Sequence, residues 1–172
     1  MSKGLIAYII IIYKLYLNNN TLGFKRDFGP LLKYKLFDNS IMCGIGAVVH
    51  KSEDINILLY ELLFNLQHRG QDSCGMISYD RATNNIHELK EFGLIDKHLP
   101  NLNQLEGNMG IGHVRYPTSG LITKNEIQPF YVTDFDGISL AHNGNITNLL
   151  DLKLILEKND ISIISTSDSE II

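Results

Sequence analysis

The sequence predicts a mixed fold of the α+β class, and three features point to it. One stretch carries the apolar period of a helix, several short runs carry the composition of strands, and two polar turns join strand pairs into hairpins. Ile55, Leu58, Leu59, Leu62, Leu63 and Leu66 recur at i, i+3, i+4, i+7, i+8 and i+11, one continuous apolar face of an α-helix. Asp80 to Asn85 separates two strand-like runs, and Asp134-Phe135-Asp136-Gly137 separates two more. At 172 residues the chain is long enough for one domain with a real core.

In order from Cys43, the small and β-branched residues of Cys43 to His50 suit a buried strand, with Gly44 and Gly46 suggesting close approach of another backbone or a ligand. Ser52 or Asp54 is placed to cap the following helix, and Gly70 to stop it. Cys74 to Tyr79 and Ile86 to Phe92 read as a hairpin. Gly93 to Leu105 reads as a short helix and loop broken by Pro100. Met109 to Val114 is a further strand, and Tyr116 to Gln128 a polar loop. Phe130 to Thr133 and Ile138 to His142 form the second hairpin. Leu149 to Leu156 is a broadly apolar helix with Thr147 as its cap, and Ile161 to Ile164 a last strand. Ser167 and Glu170 have capping-box spacing, so a new helix is expected to start there, and the domain is expected to be incomplete at Ile172.

Residues 1–42 differ in character. Ile, Asn, Lys, Tyr and Phe, the amino acids of AT-rich codons, supply 22 of them. Leu5 to Leu17 is apolar, but short and interrupted by Lys14 for a membrane span, and no small-residue cleavage site follows it. Three readings stand for this leader: translated upstream sequence from a wrong start site, a propeptide that is removed, or a retained extension or anchor.

The net charge of −4 implies no general affinity for nucleic acid. Two cysteines, Cys43 and Cys74, make neither a disulfide framework nor a four-thiolate metal site, and a reducing, cytoplasmic setting is expected. No His or carboxylate cluster has metal-ligand spacing, and no glycine-rich phosphate loop is present.

The residue that organises the rest is Cys43, directly after Met42. As an N-terminal residue it would carry a thiol nucleophile and an α-amino base on one carbon skeleton. Taken alone, a single cysteine in a strand is more often an inert, buried small hydrophobe, and Cys74 is read that way.

Cys-Gly-Ile at 43–45, QHRGQDS at 67–73, GNMGIGHVRYPTSG at 107–120, QPF at 128–130, GISLAHNGN at 137–145 and TSDSE at 166–170 resemble, in order, the glutaminase domain of the amidophosphoribosyltransferase family, which are class II glutamine amidotransferases. The resemblance implies the four-layer αββα sandwich of N-terminal-nucleophile hydrolases. It implies Cys43 as nucleophile, with Asn143 and Gly144 as the oxyanion hole. It implies Arg115 as the grip on the α-carboxylate of glutamine and Asp168 as the partner of its α-ammonium group. Thr118 and Ser119 would contact substrate, and Arg69 with Gly70 would shape the pocket.

Each of these residues also has a plainer explanation. Arg115 could form a surface salt bridge, Asp168 could be a helix cap, and Asn143-Gly144 could be an ordinary turn at positive φ. His113 and His142 are expected to be satisfied core histidines, since an N-terminal amine needs no histidine base. The family implication extends to a phosphoribosyltransferase acceptor domain outside this chain, to Mg with phosphoribosylpyrophosphate in that domain only, and to a homo-oligomer of the full-length protein. No cofactor is expected in this chain, and two cysteines cannot hold an iron–sulfur cluster. The glutaminase domain of glucosamine-6-phosphate synthase is the nearest rival within the class. A non-catalytic glutamine-binding module is the rival if the leader stays attached.

Overall fold

The structure, a computed structural model, describes residues 8–13, 43–51, 54–116, 123–133 and 137–172. Among the described residues there are seven strands and two α-helices, with 3-10 segments between them. Strand β1 is Tyr8–Tyr13, β2 Gly44–Val49, β3 Ser73–Asp80, β4 Asn85–Phe92, β5 Met109–Arg115, β6 Phe130–Val132 and β7 Ile138–Asn143. Helix α1 is Asn56–Leu66 and α2 is Leu149–Lys158. The strands form two sheets, a four-stranded antiparallel one in the order β2-β5-β3-β4 and a three-stranded one in the order β1-β7-β6.

The α1 face is the one its period predicts: Ile55, Leu59, Leu62, Leu63 and Leu66 are buried and Leu58 packs beside them. Alternation along the strands puts Gly44, Gly46, Gly110 and Gly112 beneath this helix. A methyl group on Gly112 would lie 2.4 Å from Leu63 Cδ1, and one on Gly46 would lie 2.6 Å from Leu62 Cδ2. The missing side chains are what let α1 sit on the sheet. Val48, Cys74, Met76, Leu89 and Val114 join the same core, as do Ile95, Leu102 and Leu105. On the opposite face Ile77 and Ile111 meet Ala141 of β7, so the two sheets pack together there. This helix-on-sheet-on-sheet arrangement is the α+β class the sequence predicts.

Several local expectations are corrected. Asp54 does not cap α1; its Oδ1 accepts from Gly107 N at 2.9 Å, and the N-cap position is Ile55 with no side-chain bond. Ser52 lies outside the described residues. Gly70 does not end the helix in the left-handed region. The chain passes through a 3-10 turn at Gln67–Arg69 and leaves with Gly70 extended, at φ −160°. Glycine is needed there because a Cβ would come within 2.5 Å of the Arg115 backbone. Pro100 does not interrupt the 3-10 segment Ile95–Gln104, since a tight turn of this kind does not need every N–H. Thr147 is not the cap of α2; Asn148 is, without a side-chain bond.

The strand expected at 161–164 is absent. Ile161 and Ile164 are 52% and 75% exposed, and the Ile164 N–H donates to Glu170 Oε1 instead of to a neighbouring strand. That commitment also explains why Ser167 and Glu170 form no capping box: the Glu170 carboxylate is already used by Ile164 and Ser165. A reciprocal box forms instead at Thr123 and Glu126, opening the 3-10 turn Lys124–Glu126. The hairpin turn at 134–136 lies outside the described residues.

Of the leader, residues 8–13 are described, and they were not expected to be a strand. They pair in parallel with β7, from Tyr8 opposite Ile138 to Tyr13 opposite Asn143.

The inter-sheet spacing can be tested at Gly75, where a Cβ would lie 2.1 Å from the carbonyl oxygen of Gln128. Backbone cannot yield as a leucine methyl can. Gly75→Ala is therefore expected to lower stability by about 1–3 kcal/mol or more, and Gly46→Ala by less, measured as urea unfolding midpoints.

Candidate active site

Cys43 stands just before β2, at the end of the sheet where β5 leaves its last pairing. Its half-buried thiol accepts a hydrogen bond from the Tyr116 N–H at 3.3 Å. Its carbonyl accepts from Asn143 Nδ2 at 2.7 Å and from Arg69 Nε at 3.3 Å. Two predicted residues, Asn143 from β7 and Arg69 from the turn after α1, thus converge on a third, Cys43, just before β2. Burial raises the thiol pKa above its usual value; the Tyr116 N–H and the charges of Arg115 and Arg69 work against that rise. Cys74 lacks such compensation: burial, with Glu91 and Asp96 nearby, pushes its thiol up to about 12. That matches its reading as a small buried hydrophobe.

Arg115 ends β5. Its Nη1 donates to Asp72 Oδ2 at 2.7 Å, with both side chains partly exposed. The salt bridge offered as the plain alternative is therefore formed. It does not exclude a carboxylate grip, because a guanidinium presents five N–H donors in a planar fork. The backbones are tied as well, the Asp72 N–H donating to the Arg115 carbonyl at 3.1 Å.

Asn143 is buried and ends β7. Its amide has two hydrogens, and one goes to the Cys43 carbonyl. Gly144 is exposed, and its φ is not positive; among the described glycines, positive φ belongs to Gly93, Gly107 and Gly137. The alternative reading of Asn143-Gly144 as a turn at positive φ is thus set aside. Gly144 is required for another reason, since a Cβ would lie 2.8 Å from His142 Nε2.

Asp168 opens the 3-10 turn Asp168–Ile171. The cap is Ser167, whose side chain accepts from the Ser169 N–H, so capping is not the role of Asp168. Its Oδ2 accepts from the Ile146 N–H at 2.9 Å, two residues beyond Gly144. Thr118 and Ser119 lie outside the described residues. Asp72, Tyr116, Gln128 and Ser169 were not singled out from the sequence as site residues; only the quoted blocks around them carried any signal.

The two histidines part company. His142 is satisfied: its ring Nδ1 lies 3.1 Å from Ser169 Oγ, and its backbone N–H donates to Gln128 Oε1 at 2.6 Å. His113 is in the core as expected, but neither ring nitrogen has a hydrogen-bond partner among the described residues. Burial, reinforced by the charge of Arg115 and by the neighbouring His142, lowers its pKa to about 3, and the ring is neutral.

No family model matches the chain. It is 46% identical over 134 residues to the amidophosphoribosyltransferase of Escherichia coli, covering 76% of this chain and 26% of that protein. It is 39% identical over 140 residues to the amidophosphoribosyltransferase of Schizosaccharomyces pombe, again over 76% of this chain and 25% of that one. Over that span the chain is an amidophosphoribosyltransferase homologue. Two solved structures agree. One is the glutamine phosphoribosylpyrophosphate amidotransferase from B. subtilis, complexed with ADP and GMP, at a TM-score of 0.64 and 32% identity. The other is described as the allosteric regulatory enzyme of purine biosynthesis, at a TM-score of 0.63 and 32% identity. Each match covers 76% of this chain and 28% of the solved chain. The amidophosphoribosyltransferase fold, the N-terminal-nucleophile hydrolase fold, is therefore the fold of this chain. The chain spans about a quarter of the length of the curated relatives it matches.

Two measurements test the site. Iodoacetamide should modify Cys43 well before Cys74, with a rate that rises about tenfold per pH unit below the Cys43 pKa, read by peptide mass mapping. His113 makes stability pH-dependent, because the unfolded chain takes up its proton near pH 6.5 and the folded chain only near pH 3. The associated stability is present above 6.5 and is lost as the pH falls toward 3, at about 1.4 kcal/mol per unit within that window. His113→Leu should flatten the dependence of the urea midpoint on pH between 6 and 4.

Proposed function

We propose that residues 43–172 form a glutaminase: Cys43 hydrolyses glutamine to glutamate and ammonia, as the ammonia-supplying half of an amidophosphoribosyltransferase. The observation that carries this reading is the convergence of Asn143, Arg69 and the Tyr116 N–H on Cys43, in a chain homologous to amidophosphoribosyltransferases over 76% of its length.

Glutamine binds by its α-carboxylate to Arg115 and by its α-ammonium group to Asp168, which sets its side-chain amide over Cys43. A planar guanidinium fork suits a carboxylate, and Asp72 steadies it. The Cys43 sulfur attacks the carboxamide carbon while its proton passes to the Cys43 α-amine. Negative charge builds on the former carbonyl oxygen, where the Asn143 amide and the Gly144 N–H donate to it; such donors contribute about 2.7–4 kcal/mol each in the transition state. The protonated amine hands its proton to the leaving nitrogen, and ammonia departs from a glutamyl thioester. Water then attacks the thioester, the amine accepts a proton from that water, and the thiol is restored as glutamate leaves. Arg69 holds the Cys43 carbonyl throughout, and Thr118 completes the substrate contacts.

This chemistry needs a free amine on Cys43, whereas in the 172-residue chain that nitrogen is bonded to Met42. Removal of residues 1–42 is thus part of the proposal. The ammonia would pass to a phosphoribosyltransferase domain and displace pyrophosphate to give phosphoribosylamine, in the cytoplasm and in a homo-oligomer. Among the described residues, no helix is long and apolar enough to cross a membrane. The relatives do not favour the glucosamine-6-phosphate synthase reading or the non-catalytic module.

The test compares a chain beginning at Cys43 with the chain beginning at Met1, the N-terminus of each verified by intact mass. The first should release ammonia from glutamine and the second should not. Cys43→Ala should reduce activity to background, and Asn143→Ala should cut kcat about 10²–10³-fold. Hydrolysis by the Cys43→Ala chain, or by a chain still carrying Met42, would sink the assignment.

A further inference from the structure

A buried hydrogen-bond network links Asp168 to β7, and its donors and acceptors can be counted. The His142 backbone N–H can only donate, and it donates to Gln128 Oε1 at 2.6 Å. That fixes the Gln128 amide, so its Nε2 is a donor, and it lies 3.0 Å from Ser169 Oγ. Ser169 Oγ therefore accepts there, with one proton and one lone pair left. Two neighbours remain, Asp168 Oδ1 at 3.3 Å and His142 Nδ1 at 3.1 Å. An ionised carboxylate only accepts, so leaving it against a lone pair at that distance would be repulsive. Giving it the hydroxyl proton makes a charge-assisted bond. The last lone pair then receives a proton from His142 Nδ1, and that N–H also faces Asp168 Oδ1 at 3.9 Å. The proton and both lone pairs of the 2% exposed Ser169 hydroxyl are used in this arrangement.

We propose that Ser169 is a positioning residue for Asp168, giving its single proton to that carboxylate and holding His142 as the Nδ1–H tautomer. The serine thereby couples the ammonium-binding end of the glutamine site to the strand that carries Asn143. Asp168 is held from two sides, Oδ1 by Ser169 and Oδ2 by the Ile146 N–H. His142 Nε2, left as an acceptor, faces Gly144, where a Cβ would lie 2.8 Å away. The inference rests on the proposed role of Asp168 in binding glutamine.

Two measurements on the full chain test it. The first is ¹⁵N–¹H correlation spectroscopy of the histidine rings, with His142 identified by its absence from His142→Gln. The wild-type His142 should carry its proton on Nδ1, and Ser169→Ala should lose that preference. An Nε2–H tautomer in the wild type would overturn the proposal, whether or not the variant folds. The second is calorimetric glutamine binding. Ser169→Ala, with its melting temperature checked, should bind about tenfold more weakly, the expected effect of loosening one charge-assisted contact. Equal affinity would overturn the proposal. If neither the full chain nor the chain beginning at Cys43 binds glutamine, the glutaminase reading fails, and the tautomer still decides whether Ser169 is bonded as described.

Discussion

The hydrogen bond from Asn143 Nδ2 to the Cys43 carbonyl is the contact on which the rest of the site depends. It crosses from one sheet to the other, joins residues 100 apart in sequence, and ends on the backbone of the nucleophile itself. Arg69 meets the same carbonyl from the turn after α1. With its carbonyl held by two side chains, Cys43 has little freedom to rotate, and the direction of its thiol follows from where the sheets are. Anything that changes the separation of the sheets changes the aim of the sulfur. The oxyanion donors proposed for Asn143 and Gly144 are carried on the strand that sets this separation.

Small residues set the spacing on both faces of the four-stranded sheet. Glycine at positions 44, 46, 110 and 112 lets α1 sink onto the outer face, while Gly75 lets the Gln128 backbone approach the inner one. Gln128 then anchors His142 and Ser169 through its side chain. A single chain of contacts thus runs from sheet packing to the Asp168 carboxylate without leaving the protein interior. Asp72 does similar service on the far side, tying Arg115 by both backbone and side chain.

Much of this was legible from the residues. The α1 face was readable because burial on one side of a helix imposes a period that the leucines obey. The β3–β4 hairpin was readable because its polar turn and the strand-like runs on either side leave local marks, and its register runs from Ser73 opposite Phe92 to Asp80 opposite Asn85. The site residues were readable through whole sequence blocks, since no local pattern marks Asn143 as a partner of Cys43. Ser167 caps the turn that follows it, as its spacing suggested, but capping was misread at Asp54, at Thr147 and in the Glu170 half of the box for a common reason: each carboxylate or hydroxyl has several N–H groups within reach, and tertiary contacts decide among them. Asp54 went to Gly107, and Glu170 to the segment before it. The absent strand at 161–164 shows the same limit, because apolar β-branched residues form a strand only where an edge is there to receive them.

The parallel pairing of β1 with β7 has a topological consequence. Tyr13 lies opposite Asn143, and Cys43 is bonded to the Asn143 side chain, so the polypeptide leaves this corner at residue 13 and returns to it at residue 43. Breaking the bond between Met42 and Cys43, which the proposed mechanism requires, would not by itself dislodge β1, because β1 is also held by its ladder with β7. Under that proposal, exposure of the amine and departure of the leader would be two separate events, the first covalent and the second a matter of strand dissociation.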